Sequence, residues 1–264
     1  FNLEDNIFQL HEDLKNQTYT HGKYESFRIN DPKPRHIHKA TVRDRIVHRA
    51  IYRILYPFFQ KTFIADSFSC QIGKGTHRAL NRFRDFGYKV SQNNTKTCFI
   101  LKCDIRKFFD NIDHRILKEI LARYIGDEKV MWLLGCIVNS FQKKNPHLNP
   151  PPQGGGGKEI GLPLGNLTSQ LFVNIYMNVL DQFVKHKLKI RHYIRYADDF
   201  VIFSDNRAWL ELILPQMAEF LKNTLHLEIH PNKIFLKTLA SGMDYLGWVH
   251  FFDYRVLRSA TRRR

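Results

Sequence analysis

The chain has 264 residues, of which 43% are hydrophobic and 13% aromatic; its 41 Lys and Arg outnumber 25 Asp and Glu, for a formal net charge of +16. That length and apolar content exclude a disordered tail and allow one large domain or two to three subdomains. The positive excess points to a polyanionic partner, nucleic acid ahead of an anionic membrane surface; no long apolar run or signal-like opening segment suggests membrane insertion or secretion.

Residues 1–20 read as a helix with Leu3, Ile7, Leu10 and Leu14 on one face. Over residues 23–41, Tyr24, Phe27, Ile29 and Ile37 come near alternation around a break at Asp31-Pro32-Lys33-Pro34, which suggests a hairpin lined by Arg35, His36, His38 and Lys39. Thr41 to Phe63 is a helical stretch, with Thr41 as N-cap and Asp44 in the capping-box position. Arg43, Arg45, Arg49 and Arg53 give it a positive face, which is either solvated or in contact with phosphate; the one-sided charge favours phosphate. Gly73-Lys74-Gly75-Thr76 looks like part of a phosphate loop, but Phe68 stands where that motif needs its first glycine. The stretch is therefore read as a turn into a helix over Thr76–Val90.

Cys98 to Asp104 is a buried strand ending in a carboxylate, a place where a metal ligand is held rigidly. Asp110 and Asp113 precede a helical run, Ile116–Tyr124, and read as helix caps. Residues 127–140 form a further helix. Residues 141–158, with prolines at 150–152 and glycines at 154–157, are a flexible arm or an insertion at a hairpin tip. Gly161 to Gln170 opens a helix that runs to Lys187 on the spacing of Leu171, Ile175, Val179 and Phe183; Gly165 would let another backbone approach its start.

Tyr193-Ile194 and Phe200-Val201-Ile202-Phe203 read as two strands joined by a turn carrying Asp198 and Asp199. Two adjacent carboxylates there either hold a cation or form an ordinary Asp-rich turn. Residues 207–225 are an amphipathic helix. His226-Leu227-Glu228-Ile229-His230 has the wrong order for a zinc helix and reads as a strand. Tyr245 to Val249 is a last strong strand, and the four cysteines (Cys70, Cys98, Cys103, Cys136) read as reduced core or strand residues of a cytosolic protein. If the strands ending at Asp104 and carrying Asp198 and Asp199 are neighbours in one antiparallel sheet, the three carboxylates suit two Mg²⁺ ions set about 3.5–4 Å apart for phosphoryl transfer.

Several stretches together resemble the ordered motifs of reverse transcriptases over nearly the whole chain. They are Arg35 to Arg45, Asp104 to His114, Gly161 to Gln170, Tyr196-Ala197-Asp198-Asp199, Leu225 to Lys233, and Tyr245-Leu246-Gly247-Trp248. Most of these enzymes carry Gln-Gly where this chain has Leu164-Gly165, and Leu164-Gly165-Asn166-Leu167-Thr168-Ser169-Gln170 resembles the form in diversity-generating retroelements. Group II intron enzymes are the neighbouring reading.

The resemblance implies an α+β, right-hand fingers-and-palm fold with an antiparallel palm sheet backed by helices. Fingers would span 1–95 and the palm 96–248. Only the start of a thumb or a tail follows at 249–264, so the thumb is largely absent. It implies RNA-directed DNA synthesis with Mg²⁺ (Mn²⁺ able to substitute) held by Asp104, Asp198 and Asp199 with the Ile105 carbonyl. Lys39, Arg43, Arg45, Phe109, Leu164 and Gly165 would bind the nucleotide. Phe109, five residues after Asp104, is either a gate against the ribose 2′-OH or plain core, with Phe108 able to fill the core role. Lys233 is either the acid that protonates departing pyrophosphate or a solvated lysine. Ser169, Gln170, Tyr196, Leu246, Gly247 and Trp248 would meet template and primer.

The partners implied are a template RNA, the cDNA or primer, dNTPs and a basic, helical accessory oligomer, in the cytoplasm and encoded by a bacterial or phage element. Leu164 in place of a hydrogen-bonding Gln implies low fidelity, chiefly opposite template adenines. Two other readings stand beside this one: a catalytically silent nucleic-acid-binding module, and an RNA-dependent RNA polymerase, which the bulky Phe109 argues against.

Overall fold

The computed structural model describes residues 3–30, 34–142 and 159–262. In chain order its elements are α1 (Leu3–Lys15), β1 (Glu25–Ile29), β2 (Arg35–Lys39), α2 (Val42–Phe59), α3 (Thr76–Val90), β3 (Phe99–Asp104), α4 (His114–Ala122), α5 (Glu128–Asn139), α6 (Leu167–Gln182), β4 (Tyr193–Tyr196), β5 (Asp199–Ser204), α7 (Arg207–Leu225), β6 (Phe235–Thr238), β7 (Met243–Tyr245), β8 (Trp248–His250), β9 (Arg255–Leu257) and α8 (Ser259–Arg262). They fall into two compact units, residues 1–59 with 107–176, and residues 60–106 with 177–264. The hairpin break at Asp31-Pro32-Lys33 and most of the Pro/Gly-rich arm lie outside the described residues.

In the first unit β1 and β2 pair antiparallel, with Phe27 opposite Ile37. At the start of α2 the Thr41 hydroxyl accepts from the Asp44 amide at 3.2 Å, as expected of an N-cap, and donates to Asp44 Oδ2 at 2.6 Å. Buried Asp44 also accepts from the Tyr19 hydroxyl at 2.7 Å and the Gly22 amide at 3.1 Å. Burial alone would raise its pKa, but these donors hold the carboxyl below the usual carboxylate range.

Two expectations need correction here. Asp113 caps α4, with Oδ1 accepting from the amides of Arg115 at 3.0 Å and Ile116 at 3.2 Å, but Asp110 does not, because it sits in a short 3₁₀ turn over Phe108–Asn111. Only the residue immediately before the first helical turn has its oxygen within reach of those amides. Arg43 is also not on the basic face of α2. It pairs with Asp13, donates to the Thr20 carbonyl and lies over the Tyr19 ring. Arg45, Arg49 and Arg53 do share a face, together with exposed Val42 and Ile46. A two-residue step on a helix turns a side chain most of the way to the opposite side, so Arg43 and Arg45 cannot point the same way.

The second unit holds a four-stranded sheet of order β4-β5-β3-β6, antiparallel throughout. The inner strands are runs of apolar residues because both of their faces are covered. Ile100, Val201 and Phe203 are buried with Phe83 and Phe86 of α3, so α3 backs this sheet. Lys74 of the phosphate-loop-like stretch is a structural staple, its Nζ donating to the carbonyls of Ile64, Ala65 and Ser67 at 3.2, 3.0 and 2.7 Å.

Two expected strands take other forms. In the 226–230 stretch only Ile229 makes a β-bridge, to Ile105, and His226 is the left-handed cap of α7 with φ 51°. The stretch 245–249 is a hairpin rather than one strand: Tyr245 of β7 pairs with Trp248 of β8 across Leu246-Gly247, at φ 49° and 86°. A two-residue turn with both φ values positive suits the right-handed strand twist, and glycine at its second position makes it accessible. β9 completes this three-stranded sheet.

Candidate active site

The acidic site is built by strand register. Asp104, the last residue of β3, lies opposite Asp199, the first residue of β5. Tyr196 pairs with Asp199 across the β4–β5 hairpin. The turn itself is therefore Ala197-Asp198, and Asp199 lies on the strand, a correction to the expected turn that held both acids. Ala197 takes φ 55° to close it. The Ile105 amide donates to the Asp198 carbonyl at 3.2 Å, which places Ile105 beside the pair.

Lys233 is no freely solvated side chain. Its Nζ donates to Asp104 Oδ1 at 2.8 Å, with the lysine side chain 42% exposed and the aspartate 16%. The His230 amide fixes the same strand end by donating to the Asp104 carbonyl at 2.8 Å. Tyr196 is tied down by its hydroxyl, 3.1 Å from Thr76 Oγ1.

Burial, then the charges of Asp199 and Asp104, push the Asp198 carboxyl up to about 6. Among the described residues no three His, Cys, Asp or Glu side chains converge as a ready metal cage, and Asp104 instead turns an oxygen to Lys233. The donor set still fits a divalent cation: hard oxygens, gathered at one sheet end, repelling one another enough to move a pKa.

This shift gives a measurable sign. A carboxyl whose pKa is raised in the fold favours the protonated state, so its contribution to stability is present below pH 4 and is lost as pH rises through about 6. Asp198→Asn is accordingly expected to raise stability at pH 7 by about 1–3 kcal/mol and to leave it unchanged below pH 4. Thermal unfolding at the two pH values measures this, and an equal effect at both would remove charge repulsion as the cause.

The residues expected to meet the nucleotide lie in the first unit. Phe108 is 3% exposed and fills the core, while adjacent Phe109 is half-buried. The Phe109 carbonyl accepts from the Leu162 amide, and the Leu164 carbonyl accepts from the His38 amide, both at 2.8 Å. Those segments line a cavity of about 420 Å³ with Arg35, His36, His38, Asp110, Leu162 and Leu164 among its walls. Gly165 has φ +112°, and a Cβ there would lie 2.9 Å from Ile37 Cγ2 and 3.5 Å from the His38 carbonyl oxygen. The position requires glycine on both counts, and the close backbone approach expected of it is that of β2.

Lys39 pairs with Glu25 at 3.1 Å and Arg43 with Asp13, so two of the three cations expected at the triphosphate have carboxylate partners, and Arg45 is on the basic face of α2. Ser169 is buried at the start of α6 and Gln170 is exposed. Leu246 and Trp248 pack partly buried against the core of the second unit, the Trp248 ring under the Arg255 guanidinium at 4.9 Å. The cavity that Asp110, Arg35 and His36 line leaves little trace in the sequence beyond the basic, alternating Arg35-His36-Ile37-His38. Arg195 likewise shows there only as a lone charge inside an apolar strand.

An antiparallel sheet backed by helices, with carboxylates from a central strand and its neighbouring hairpin gathered at one end, defines a palm-type polymerase domain. Residues 28–250 match the family described as reverse transcriptase (RNA-dependent DNA polymerase), and the chain belongs to that family. It is 24% identical over 258 residues to protein YkfC of Escherichia coli (strain K12), a match covering 84% of this chain and 63% of that protein. The group II intron-encoded protein LtrA of Lactococcus lactis subsp. cremoris is 23% identical over 327 residues, covering 99% of this chain and 51% of LtrA. The chain thus spans less than two thirds of the length of either relative. Among solved structures, apo telomerase from Candida tropicalis truncated from its C-terminal domain matches with a TM-score of 0.65 at 12% identity, over 91% of this chain and 55% of that one. That likeness carries the fold, an α+β fingers-and-palm architecture. No helix among the described residues is long and apolar enough to cross a membrane.

Proposed function

We propose that this chain is the fingers-and-palm portion of an RNA-directed DNA polymerase that copies a template RNA into cDNA. The observation that carries the reading is the register of Asp104 against Asp199, with Asp198 on the adjoining turn and Lys233 bonded to Asp104. The assignment of fingers to 1–95, palm to 96–248 and the beginning of a thumb to 249–264 belongs to this reading.

Asp104, Asp198 and Asp199 would hold divalent ions, Mg²⁺ with Mn²⁺ as substitute, and the Ile105 carbonyl would assist. Bound ions of this kind lower the pKa of the primer 3′-OH and offset charge on the transferring phosphoryl group. The 3′ oxygen, its proton passed to solvent, would attack the α-phosphorus of a dNTP as the bond to the α,β-bridging oxygen breaks to release pyrophosphate. Lys233 is suited to donate its Nζ proton to that leaving group. Phe109 would exclude a ribose 2′-OH. Leu164 and Gly165 would pack under the nascent pair, and Ser169, Gln170, Tyr196, Leu246, Gly247 and Trp248 would contact template and primer. Arg45 is the cation of the fingers best suited to a triphosphate, because Lys39 and Arg43 already have carboxylate partners.

The Leu164-to-Gln170 segment favours a diversity-generating retroelement enzyme, error-prone at template adenines and working with a basic, helical accessory oligomer. The likeness to LtrA favours a group II intron-type enzyme instead. Leu164→Gln separates them: in the retroelement reading, misincorporation opposite adenine falls roughly 10-fold, on the scale by which a hydrogen-bonding site rejects mismatched partners. Sequencing of primer-extension products reads it, and an unchanged error spectrum favours the intron-type reading. Incorporation of dNTPs by the full-length protein on a primed RNA template, dependent on divalent metal, tests the activity itself.

A further inference from the structure

We infer that Arg195 is a positioning residue of the catalytic hairpin: clamped by Asp181, its guanidinium holds the Ala197 carbonyl and so fixes where Asp198 and Asp199 stand. The inference rests on the polymerase reading above. The Arg195 and Asp181 side chains are both 0% exposed. Arg195 Nε donates to Asp181 Oδ1 and Oδ2 at 2.8 and 3.0 Å, and Nη2 donates to Oδ2 at 2.8 Å and to Ser67 Oγ at 3.0 Å. That leaves Nη1 to donate to the Ala197 carbonyl at 3.0 Å. The Tyr193 hydroxyl donates to Asp181 Oδ1 at 2.8 Å and completes the carboxylate's surroundings.

The backbone of Arg195 is held as firmly. Its amide donates to the Asp66 carbonyl, and its carbonyl accepts from the Phe68 amide, both at 3.0 Å. Asp66 is anchored in turn, to Arg82 of α3 and to Lys185, each at 3.0 Å. The clamp therefore grips β4 on its outer edge and reaches two residues along the chain into the turn.

Stability alone does not account for this arrangement. A fully buried ion pair contributes to a fold little more than an apolar pair of the same volume, because desolvation offsets the Coulombic gain. What an apolar pair would lack is the bond to Ala197. That residue sits in the left-handed region at φ 55°, a conformation that costs a non-glycine residue about 1 kcal/mol. A four-residue edge strand ending in such a turn is poorly determined by its own ladder, and strain of this kind persists only where the surroundings over-determine it. Lysine could not substitute, since a point charge cannot meet a carboxylate, a serine and a carbonyl in one fixed fork.

The test uses the full-length protein with two variants, Arg195→Met with Asp181→Leu together, and Arg195→Lys. Thermal unfolding, kcat, the KM for dNTP and the Mg²⁺ concentration for half-maximal extension are measured, with Mn²⁺ binding followed by electron paramagnetic resonance as a readout independent of turnover. The apolar pair is expected to fold near the wild-type midpoint, with kcat down roughly 10²-fold, as for a reacting group displaced by about 1 Å, a raised Mg²⁺ requirement, weaker Mn²⁺ binding and an unchanged dNTP KM. Arg195→Lys is expected to show the same split in milder form. Either variant folded with wild-type kcat and metal binding overturns the inference, and so does loss of the fold in both, which would make Arg195 a stability residue. If wild-type protein extends no primer, the polymerase reading fails instead, and the Mn²⁺ measurement still reports on the clamp.

Discussion

If Asp198 holds a divalent ion as proposed, Asp198→Ala is expected to abolish metal-dependent primer extension on an RNA template, lowering kcat by about 10³-fold or more, because losing a metal ligand forfeits several kcal/mol of transition-state charge stabilisation. The fold should survive. Asp198 occupies a two-residue turn, its backbone held by the Ile105 amide at 3.2 Å, and its ionised side chain is disfavoured in place by burial and by Asp199 and Asp104. Removing that carboxylate takes away repulsion rather than support, so the unfolding midpoint at pH 7 should hold or rise while activity disappears. Primer extension beside thermal denaturation makes the comparison. Extension that survives in a folded Asp198→Ala protein would dismiss the carboxylate cluster as the reacting centre.

Phe109→Ala is expected to open the nucleotide site to ribonucleotides, cutting discrimination between dNTP and rNTP by about 10²-fold, the scale on which pocket shape separates substrates. The two neighbouring rings occupy different surroundings. Phe108 is 3% exposed, in the core; Phe109 is half-buried, 5.6 Å from it between centroids in an edge-on arrangement. The Phe109 backbone is fixed by the Leu162 amide at 2.8 Å, so its ring has a set place to project from. Parallel incorporation assays with the two nucleotide pools measure the ratio. Phe108→Ala should instead cost about 3–5 kcal/mol of stability, as for any large core side chain. Unaltered discrimination in Phe109→Ala would return that residue to the core.

Much of the fold was legible because local chemistry specifies it. The helix over Thr76–Val90, the Thr41–Asp44 cap and the strand ending at Asp104 follow from period, capping and a short apolar run. The departures share a physical origin. Asp110 and Arg43 stand near a helix start and a basic run in sequence, whereas helix phase and the first helical turn decide what a side chain reaches. Leu246-Gly247 looked continuous with the strands on both sides, although a glycine following a residue able to adopt positive φ is what a two-residue hairpin turn uses.

The site divides in the same way. The residues alone show which groups are available: Asp104 at the end of an apolar strand, Asp198 and Asp199 beside a turn, a bulky Phe109, a Gly165 open to a close backbone approach, and a late Lys233. Pairing between distant segments settles which of them meet within the second unit. It put Asp104 opposite Asp199, left Asp198 on the turn, brought Lys233 to 2.8 Å from Asp104 and closed Asp181 around Arg195 inside the second unit. Period and turn preference are written in neighbouring residues, but strand register and the partner of a buried charge are settled by packing between segments far apart in the chain, where a shift of one residue would turn every side chain to the other face.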